Sequence, residues 1–504
     1  MLKKPMALLL ALCLVLSLAP AAFAAQSGTC GADAYWSFDE KSGTLTVTGT
    51  GAVQDYRDVD TILERPWESL RTKIRHLVIG EGITRVGHEA FSSFDNLETL
   101  SLPSTLEEIG NFTFTFAPKL KELELPEGLR GIGQQAFWCC DGLTEVYLPA
   151  SITFMDATMF DGCTGLKKVT IGADPGIPGF VIGNSPFLNC YNLEEIIVEE
   201  GHIALTSIDG VLYNRDACGL TLLQYPLGNR AEEYTIPDGT YWIEQFSMDH
   251  ATYLKRITVP TSVAHIGAFA FGGTALESVR FLGSAPELDS RALGCLELDV
   301  YYPAGDPTWT QEVMDSQYFL VNWHPYNPSN PFLDVPCEAY YEEPVLWALE
   351  NKITSGTGPD EFSPYESCLR SQVVTFLWRA AGKPAPKSQV NPFVDVKSSD
   401  YYYNAVLWAV ENGITYGADD THFEPNGKCS RSQVVSFLYR AFKKPPVAGS
   451  DNPFDDVSAG EWYAAAVRWA VQEGIAYGTS KTEFSPDDIC NRSQVVTFLH
   501  RAYN

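Results

Sequence analysis

Hydrophobic and polar positions along the chain follow two repeating patterns of different length. In the first, short runs alternate apolar and polar residues, as in "LKELEL" from Leu120 to Leu125, and each run is followed by a Pro or Gly turn and a second apolar pair. These units are spaced by 23 residues at Ile74, Leu97, Leu120, Leu143 and Leu166, and further units begin at Leu193, Leu254 and Leu276. The alternation predicts a short strand in each unit. Because one unit cannot bury its apolar face alone, the units are expected to stack into a solenoid with a curved sheet.

The second pattern has a period of 61 residues and extends to the end of the sequence. Its units open with "NPFLDV", "NPFVDV" and "NPFDDV" at Asn330, Asn391 and Asn452. An amphipathic run such as "YYYNAVLWAVENGI" follows and predicts a helix that ends at Gly413. A polar loop and a second apolar helix complete each unit. Between the two patterns, Asn and Pro in "HPYNPSNP" predict a linker.

The 23-residue units resemble the BspA-type leucine-rich repeats of bacterial surface proteins, on the pattern L-x-x-L-x-L-P-x-x-L-x-x-I-G-x-x-A-F-x-x-C. The stretch "SGTCGADAYWSFDEKSGTLTVTGTGAVQDY" is similar to the β-rich cap that often precedes such repeats. The resemblance extends over roughly Ser27 to Trp309. It implies a non-enzymatic surface for binding or display, and members of this family have been linked to adhesion.

The 61-residue units resemble the S-layer homology (SLH) domain, on F-x-D-V, W-A-x-x-x-G-I, F-x-P and an equivalent of the family's T-R-A-E signature. This resemblance implies a pseudo-threefold bundle of three repeats. Its grooves would bind a secondary cell-wall polysaccharide, in pyruvylated form or another, or a polymer linked to peptidoglycan. Such binding holds proteins on the cell surface without a covalent bond.

We therefore predict a multidomain chain: a β-rich leucine-rich-repeat solenoid followed by an all-α pseudo-threefold SLH helical bundle. The predicted organisation is a signal peptide at 1–25, a β-rich N-terminal cap at 26–73, the solenoid at 74–309, the linker at 310–329, and SLH repeats at 330–390, 391–451 and 452–504.

Composition and the first residues indicate where the protein acts. A basic start, an apolar run and small residues at Ala22–Ala24 predict a secretory signal peptide. No later run approaches the ~20 apolar residues that a membrane helix needs, so no transmembrane segment is predicted. The net charge of −28 argues against a nucleic-acid partner. The 12 cysteines lack metal-ligand spacing, and we predict neither a metal nor a cofactor.

Each second helix of the 61-residue units begins with one repeated arginine, at Arg370, Arg431 and Arg492. In the family signature the Thr position is the N-cap, and the Glu position forms a capping box with it. Ser430 and Asn491 keep the N-cap chemistry, whereas Leu369 cannot accept a hydrogen bond. The third position after each N-cap is a glutamine, which lacks the negative charge of the family's glutamate; these residues are Gln372, Gln433 and Gln494.

The arginine opposes the positive end of the helix dipole, which suggests a use beyond helix formation. One explanation is an intramolecular ion pair with Asp334, Asp395 or Asp456. The other is an anion site, in which the guanidinium and the first-turn N–H groups bind a carboxylate or phosphate of the wall polymer. The candidate polymer-binding residues are the three arginines, the three glutamines and the loop glycines Gly356, Gly417 and Gly478. Leu369 makes the first site the weakest, so Arg431 and Arg492 are favoured.

Equivalent cysteines precede these helix starts, at Cys368, Cys429 and Cys490, which suggests packing and not a disulfide framework. No H-E-x-x-H, G-x-S-x-G or P-loop stretch is present, and no catalytic residue is predicted. The predicted function is a non-catalytic, wall-anchored surface protein that displays its solenoid for protein or glycan binding. A wall-associated glycan-active enzyme and a structural S-layer subunit are the alternatives.

Overall fold

The computed structural model describes residues 26–504 apart from 59–60, 63, 174–180, 184, 295–296, 318–319, 389 and 448–451. The predicted signal peptide lies outside the described residues. The chain divides into two compact units. The first comprises Met1–Lys255, Val263–Leu276 and Glu287–Cys295, and the second comprises Arg256–Ser262, Glu277–Pro286 and Leu296–Asn504.

The first unit opens with an antiparallel meander of three strands: β1 (Gln26–Thr29), β2 (Asp33–Asp39) and β3 (Thr44–Ala52). Alternate residues of β2 are buried, which places Ala34, Trp36 and Phe38 in the core. A short hairpin (β4, Arg57–Asp58; β5, Thr61–Ile62) and a 3-10 helix (Glu68–Lys73) follow. The strands confirm the β-rich character predicted for this segment.

Parallel strands then repeat along the chain in two ladders. The alternation predicts a strand in each unit, and one exception is Leu120–Leu125, which forms no strand although its three leucines are buried. The first ladder is interrupted: β6 (His76–Ile79) pairs with β8 (Thr99–Ser101), and a separate three-stranded sheet contains β11 (Glu145–Leu148), β13 (Lys168–Ile171) and β15 (Glu195–Val198). The second contains β7 (Ile83–Val86), β9 (Glu108–Ile109), β10 (Gly131–Ile132), β12 (Phe154–Met155) and β14 (Val181–Ile182). Paired residues are 23 positions apart through the uninterrupted repeats, as in His76 with Thr99 and Arg85 with Glu108, so the sequence period is the strand register there. After β12 and β13 an insertion lengthens the spacing to 27.

The core of these repeats is a column of aromatic rings. Trp67 packs on Phe91 with ring centroids 5.0 Å apart, and the column continues through Phe114, Phe137, Phe160 and Phe187 at 5.9, 5.4, 5.0 and 6.0 Å. All six side chains are buried. The leucine or isoleucine that opens each predicted unit is buried as well. This is the continuous core that defines a solenoid.

Three buried cysteines form hydrogen bonds between neighbouring repeats of the solenoid. The thiols of Cys140, Cys163 and Cys190 donate to the carbonyls of Phe114, Phe137 and Phe160 at 3.1–3.2 Å. A longer insertion then forms three antiparallel strands, and the parallel pattern resumes. The antiparallel strands are β16 (Leu205–Ile208), β17 (Val211–Asp216) and β18 (Gly219–Gln224). The parallel strands that follow β18 in this sheet are β20 (Thr240–Ile243), β22 (His265–Ile266) and β24 (Glu287–Leu288), and β19 (Glu233–Thr235) precedes β20 in the chain.

The second unit combines a parallel sheet with helices. Its strands are β21 (Arg256–Val259), β23 (Ser278–Phe281), β25 (Glu297–Pro303) and β26 (Leu320–Tyr326). An irregular linker was predicted at 310–329, and here the structure differs. Helix α1 (Gln311–Asp315) and β26 occupy that segment, and β26 pairs with β25 over seven positions. Pro325 fits because β26 is the last strand of its sheet, where a missing backbone N–H is tolerated.

Two helices form in each predicted SLH repeat. They are α2 (Glu342–Glu350), α3 (Arg370–Ala380), α4 (Tyr403–Glu411), α5 (Arg431–Ala441), α6 (Ala464–Gln472) and α7 (Arg492–Tyr503). Gly413 lies just beyond α4 with φ of +64°, which confirms its predicted place at the helix end. Residues from Phe332 to Leu499 share one hydrophobic core. Within the part of the chain that the structure describes, no helix has the length and apolarity to cross a membrane.

Candidate functional site

Helices α3, α5 and α7 begin at the three repeated arginines. The backbone N–H of each N-cap residue donates to the side-chain oxygen of the glutamine three positions later, at 3.0–3.1 Å. Ser430 and Asn491 complete the capping box by accepting from the N–H groups of Gln433 and Gln494. The Leu369 side chain has no hydrogen-bond acceptor, so α3 lacks the side-chain half of its capping box. The predicted inequality of the caps is confirmed, and the glutamines serve the caps.

The three guanidinium groups are buried, and each one contacts the following repeat. Arg370, Arg431 and Arg492 are only 7%, 5% and 3% exposed. Their Nε atoms donate to the carbonyls of Phe423, Phe484 and Phe362 at 2.9, 2.9 and 2.8 Å. These phenylalanines are the first residues of the F-x-P segments. The arginine of the third repeat thus returns to the first repeat.

Each guanidinium also lies over two phenylalanine rings, at 4.7–5.6 Å from the ring centroids. The pairs are Phe423 and Phe437 for Arg370, Phe484 and Phe498 for Arg431, and Phe362 and Phe376 for Arg492. These contacts stabilise a cation that has left water. Burial lowers the pKa of Arg431 and Arg492 from its usual high value, but both remain cations at neutral pH.

The repeated arginines do not form the predicted ion pairs with the aspartates of the F-x-D-V turns. The Asp334 carboxylate accepts the backbone N–H groups of Phe362 and Ser363 at 2.8 and 2.6 Å. Asp395 and Asp456 do the same in their own repeats. None of these aspartates forms a salt bridge with a repeated arginine, all of these residues being described. The carboxylates instead fix the segment whose carbonyl accepts the arginine Nε.

The three arginines differ in their remaining donors. Arg431 Nη2 donates to the Tyr477 carbonyl at 2.6 Å. Arg492 Nη2 is buried and has no hydrogen-bond partner among the described residues. A buried charged donor without an acceptor is costly, and such groups in native proteins usually have a partner. Of the three helix starts, that of α7 therefore has a buried guanidinium donor that is still unsatisfied, and an external acceptor would reach it only after the side chain moved.

The loop glycines are required by close packing. Gly356 and Gly417 have φ of +84° and +88°, and a Cβ on either would lie 2.5 Å from a phenylalanine ring atom. A Cβ on Gly478 would meet the Phe454 ring at the same distance. Only glycine fits such a backbone. The fold alone accounts for these residues, and their role as groove walls stays a prediction.

Sequence reasoning missed a repeated exposed aromatic residue, which in two of the repeats lies beside a helix start. Tyr340, Tyr401 and Trp462 are 58%, 60% and 59% exposed. The Tyr340 hydroxyl lies 3.2 Å from Ser493 Oγ, and the Tyr401 hydroxyl donates to Ser371 Oγ at 3.5 Å. These three residues are 61 positions apart, so the period that revealed the arginines also contained this signal.

The repeated cysteines form a closed ring of backbone hydrogen bonds. Cys368 N–H donates to Cys490, Cys429 to Cys368 and Cys490 to Cys429, at 2.9–3.1 Å. Burial raises the pKa of Cys429 and Cys490 to about 12, so these thiols stay protonated and unreactive. Their packing role is confirmed. The ten described cysteines are all free thiols, and the described residues include no group of three or more His, Cys, Asp or Glu suited to a metal ion.

The fold and these helix starts define a protein that joins a leucine-rich solenoid to SLH repeats. A family model described as the BspA type leucine rich repeat region matches residues 69–194 and 228–301 in 6 copies. The S-layer homology domain model matches residues 392–435 and 453–496, in the second and third predicted repeats. The chain therefore carries BspA-type leucine-rich repeats and SLH domains, and it is a secreted protein of the bacterial cell surface and wall.

Named relatives and a solved structure are each similar to a part of this chain. A "Surface-layer 125 kDa protein" of Lysinibacillus sphaericus is 29% identical over 32% of this chain and 14% of its own length. "Exoglucanase XynX" of Acetivibrio thermocellus is 25% identical over 29% of this chain and 14% of its own length. The chain thus spans a small part of these relatives. A leucine-rich repeat protein from Eubacterium ventriosum covers 61% of this chain and 86% of its own, at 20% identity and a TM-score of 0.47.

Proposed function

We propose that this protein is a non-catalytic surface protein held on a secondary cell-wall polysaccharide by three SLH repeats, with the solenoid displayed for protein or glycan binding. The repeats are those at 330–390, 391–451 and 452–504, arranged as a pseudo-threefold bundle. The cyclic contacts support this arrangement, because each arginine binds the following repeat and the third returns to the first. The ring of cysteine backbones has the same order.

The unpaired Nη2 of Arg492 is the observation that carries the polymer-binding role. It lies at the start of α7, where the helix dipole favours an anion. The first-turn N–H groups are already engaged, because Arg492 and Ser493 donate to the carbonyls of Glu366 and Pro364 at 2.9 and 3.0 Å, so the guanidinium carries the proposal. At the same helix start, the Tyr340 hydroxyl lies 3.2 Å from the hydroxyl of Ser493, the residue that follows Arg492. Once a shift of the Arg492 side chain exposed Nη2, a carboxylate, such as that of a pyruvylated sugar, or a phosphate would supply the missing acceptor. The exposed Tyr340 ring would contact the sugar.

The three grooves are unequal in this proposal. The groove at Arg492 has the free donor, the groove at Arg431 has its Nη2 engaged by Tyr477, and the groove at Arg370 has the incomplete cap. Several weak sites on one bundle would together give durable attachment, because after the first contact the others bind at high effective concentration.

The experiment is co-sedimentation of the full chain with Gram-positive sacculi that retain their secondary polymers. Sacculi stripped of those polymers by hydrofluoric acid are the substrate control. Tyr340→Ala and Trp462→Ala should weaken binding severalfold without loss of helical circular dichroism, because both side chains are largely exposed. Phe154→Ala, an exposed aromatic of the solenoid, should bind as the wild type does. Equal binding to intact and stripped sacculi would contradict the polymer-binding role.

The two alternatives have their own observable signs. The exoglucanase relative suggests the enzyme alternative, which predicts release of reducing sugar from wall glycans by the purified chain. The surface-layer relative suggests the S-layer alternative, which predicts ordered arrays in electron microscopy of the purified protein. We expect neither, because stacked repeats occupy the solenoid region and the described helix starts serve contacts between repeats.

A further inference from the structure

Two aromatic side chains lie together on a turn edge of the solenoid, outside its ring column. Phe116 is 38% exposed and Trp138 is half-buried. Their ring centroids are 4.6 Å apart at an interplanar angle of 53°. Neither ring belongs to the core stack, in which Phe114 and Phe137 represent the same two repeats. The pair is therefore an aromatic surface that the core does not need.

Polar side chains continue this edge over the next two repeats. The Asp161 carboxylate accepts one hydrogen bond on each oxygen, from Gln135 Nε2 at 3.1 Å and from Asn189 Nδ2 at 2.8 Å. The hydroxyl of Tyr191, whose side chain is 44% exposed, donates to Asn189 Oδ1 at 2.9 Å. Asp161 is only 8% exposed, so its carboxylate is buried beneath the edge and fixes the orientation of the two half-buried amides.

A glycine keeps the space beside the indole open. Gly162 occupies the position that Ser93, Phe116 and Cys139 occupy in the three preceding repeats. Its φ is +69°, and a Cβ there would lie 3.1 Å from Cys139 Sγ and 3.7 Å from the indole Cδ1 and Nε1 atoms. Cys139 shows that this backbone position accepts a side chain, since its φ is +56°. Glycine at 162 thus leaves the indole edge uncovered.

We propose that this edge, formed by Phe116, Gln135, Trp138, Asp161 and Tyr191, is a binding site for a neutral oligosaccharide. A pyranose ring presents C–H groups on its faces and hydroxyl groups around its rim. The aromatic rings suit the faces, and the amides and the exposed Tyr191 hydroxyl, held in place by the Asp161 carboxylate, suit the hydroxyl groups. Four successive repeats span about 15 Å, three strand spacings of about 4.8 Å, which is sufficient for a short oligosaccharide.

The negative charge of the chain favours a neutral sugar over an acidic one as the ligand of this edge. The chain has a net charge of −28, and the site itself contains the Asp161 carboxylate without a salt bridge among the described residues. An acidic glycan would meet like charge both locally and at long range. This site rests on the proposed display of the solenoid for recognition, but it does not require attachment to the wall.

The test is isothermal titration of the full chain with hexasaccharides of β-1,4-linked glucose, xylose and N-acetylglucosamine and of α-linked mannose. At least one should bind, and Trp138→Ala should weaken that binding by about tenfold or more, while Trp138→Phe retains part of it. Phe154→Ala, at 44% exposure elsewhere on the solenoid, is the matched control and should leave it unchanged. Trp462→Ala should also leave it unchanged, which separates this site from wall attachment.

Gln135→Ala provides a second variant in case Trp138→Ala fails to fold. It removes one amide of the network and should weaken binding about threefold to tenfold, the effect of one hydrogen bond. The site is refuted if none of the four sugars binds. Unchanged affinity in folded Trp138→Ala would refute it too. Trp138-dependent binding of an immobilised host matrix protein, with no sugar bound, would show that the edge recognises protein instead.

Discussion

Replacing Arg431 by methionine should destabilise the helical repeats more than the same change at Arg492. Methionine is long and flexible enough to fill the space between the rings without the charge. Both arginines are almost fully buried, and both lie over two phenylalanine rings, so the loss of ring contacts and the relief of desolvation are similar in the two variants. The comparison therefore isolates the hydrogen bonds.

The hydrogen bonds differ by one. Arg431 donates from Nε to the Phe484 carbonyl and from Nη2 to the Tyr477 carbonyl, at 2.9 and 2.6 Å. Arg492 donates from Nε to the Phe362 carbonyl at 2.8 Å, and its Nη2 has no partner among the described residues. A hydrogen bond from a charged donor contributes about 1.5–3 kcal/mol. Arg431→Met should thus cost about 1.5–3 kcal/mol more in the free energy of unfolding than Arg492→Met.

Urea unfolding of the full chain, followed by helical circular dichroism, measures this difference, because α2 to α7 all lie in the SLH repeats. Wall binding should show the opposite order. Arg492→Met removes the unpaired Nη2 donor. When both variants are folded, it should weaken co-sedimentation with sacculi more than Arg431→Met does. Equal stability of the two variants would refute the hydrogen-bond reasoning. Unchanged sacculus binding by Arg492→Met would refute the role of the unpaired donor.

Three further changes test the local physics of the repeats. Leu369→Ser should supply the missing N-cap acceptor and raise the unfolding free energy by about 0.5–2 kcal/mol. Ser430→Ala should lower the unfolding free energy by a similar amount. A lower unfolding free energy in both variants would contradict the capping argument. Gly417→Ala should lower the melting temperature because its Cβ would meet backbone and ring atoms at 2.5 Å, whereas Gly460→Ala, with open space, should not. Phe137→Ala should cost about 3–5 kcal/mol in solenoid stability, and a cost below about 1 kcal/mol would show that the ring column is not its core.

Features repeated within the sequence could be predicted, because a period identifies equivalent positions from the order of residues alone. The 23-residue spacing became the strand register, and the 61-residue spacing placed three helix starts at the arginines. The prediction was less complete where one repeat offers several similar residues. The stretch "NFTFTF" contains three phenylalanines, of which Phe114 is fully buried and Phe116 is 38% exposed. Alternation alone does not distinguish the core ring from its neighbours.

The segment at 310–329 shows the opposite limit. Its Asn and Pro residues favour irregular structure, yet β26 forms because the edge of β25 offers a row of unpaired backbone groups. Propensity describes a residue and its neighbours in sequence, whereas strand pairing depends on a partner that is more distant along the chain. The residues at 310–329 do not by themselves identify β25 as a pairing partner, so the sequence analysis missed β26.

The sequence by itself determined which residues repeat, which of them are apolar, and that a cation begins the same helix three times. Only the tertiary structure decided what the cation contacts. The Nε acceptors lie 53 residues away for Arg370 and Arg431 but 130 residues away for Arg492, because the third repeat packs against the first. Every residue has a backbone carbonyl, so no sequence pattern could identify which carbonyl accepts the hydrogen bond from each arginine. Arg492 Nη2 has no partner among the described residues, whereas Arg431 Nη2 donates to the Tyr477 carbonyl, so arginines that are equivalent in sequence differ in the folded chain.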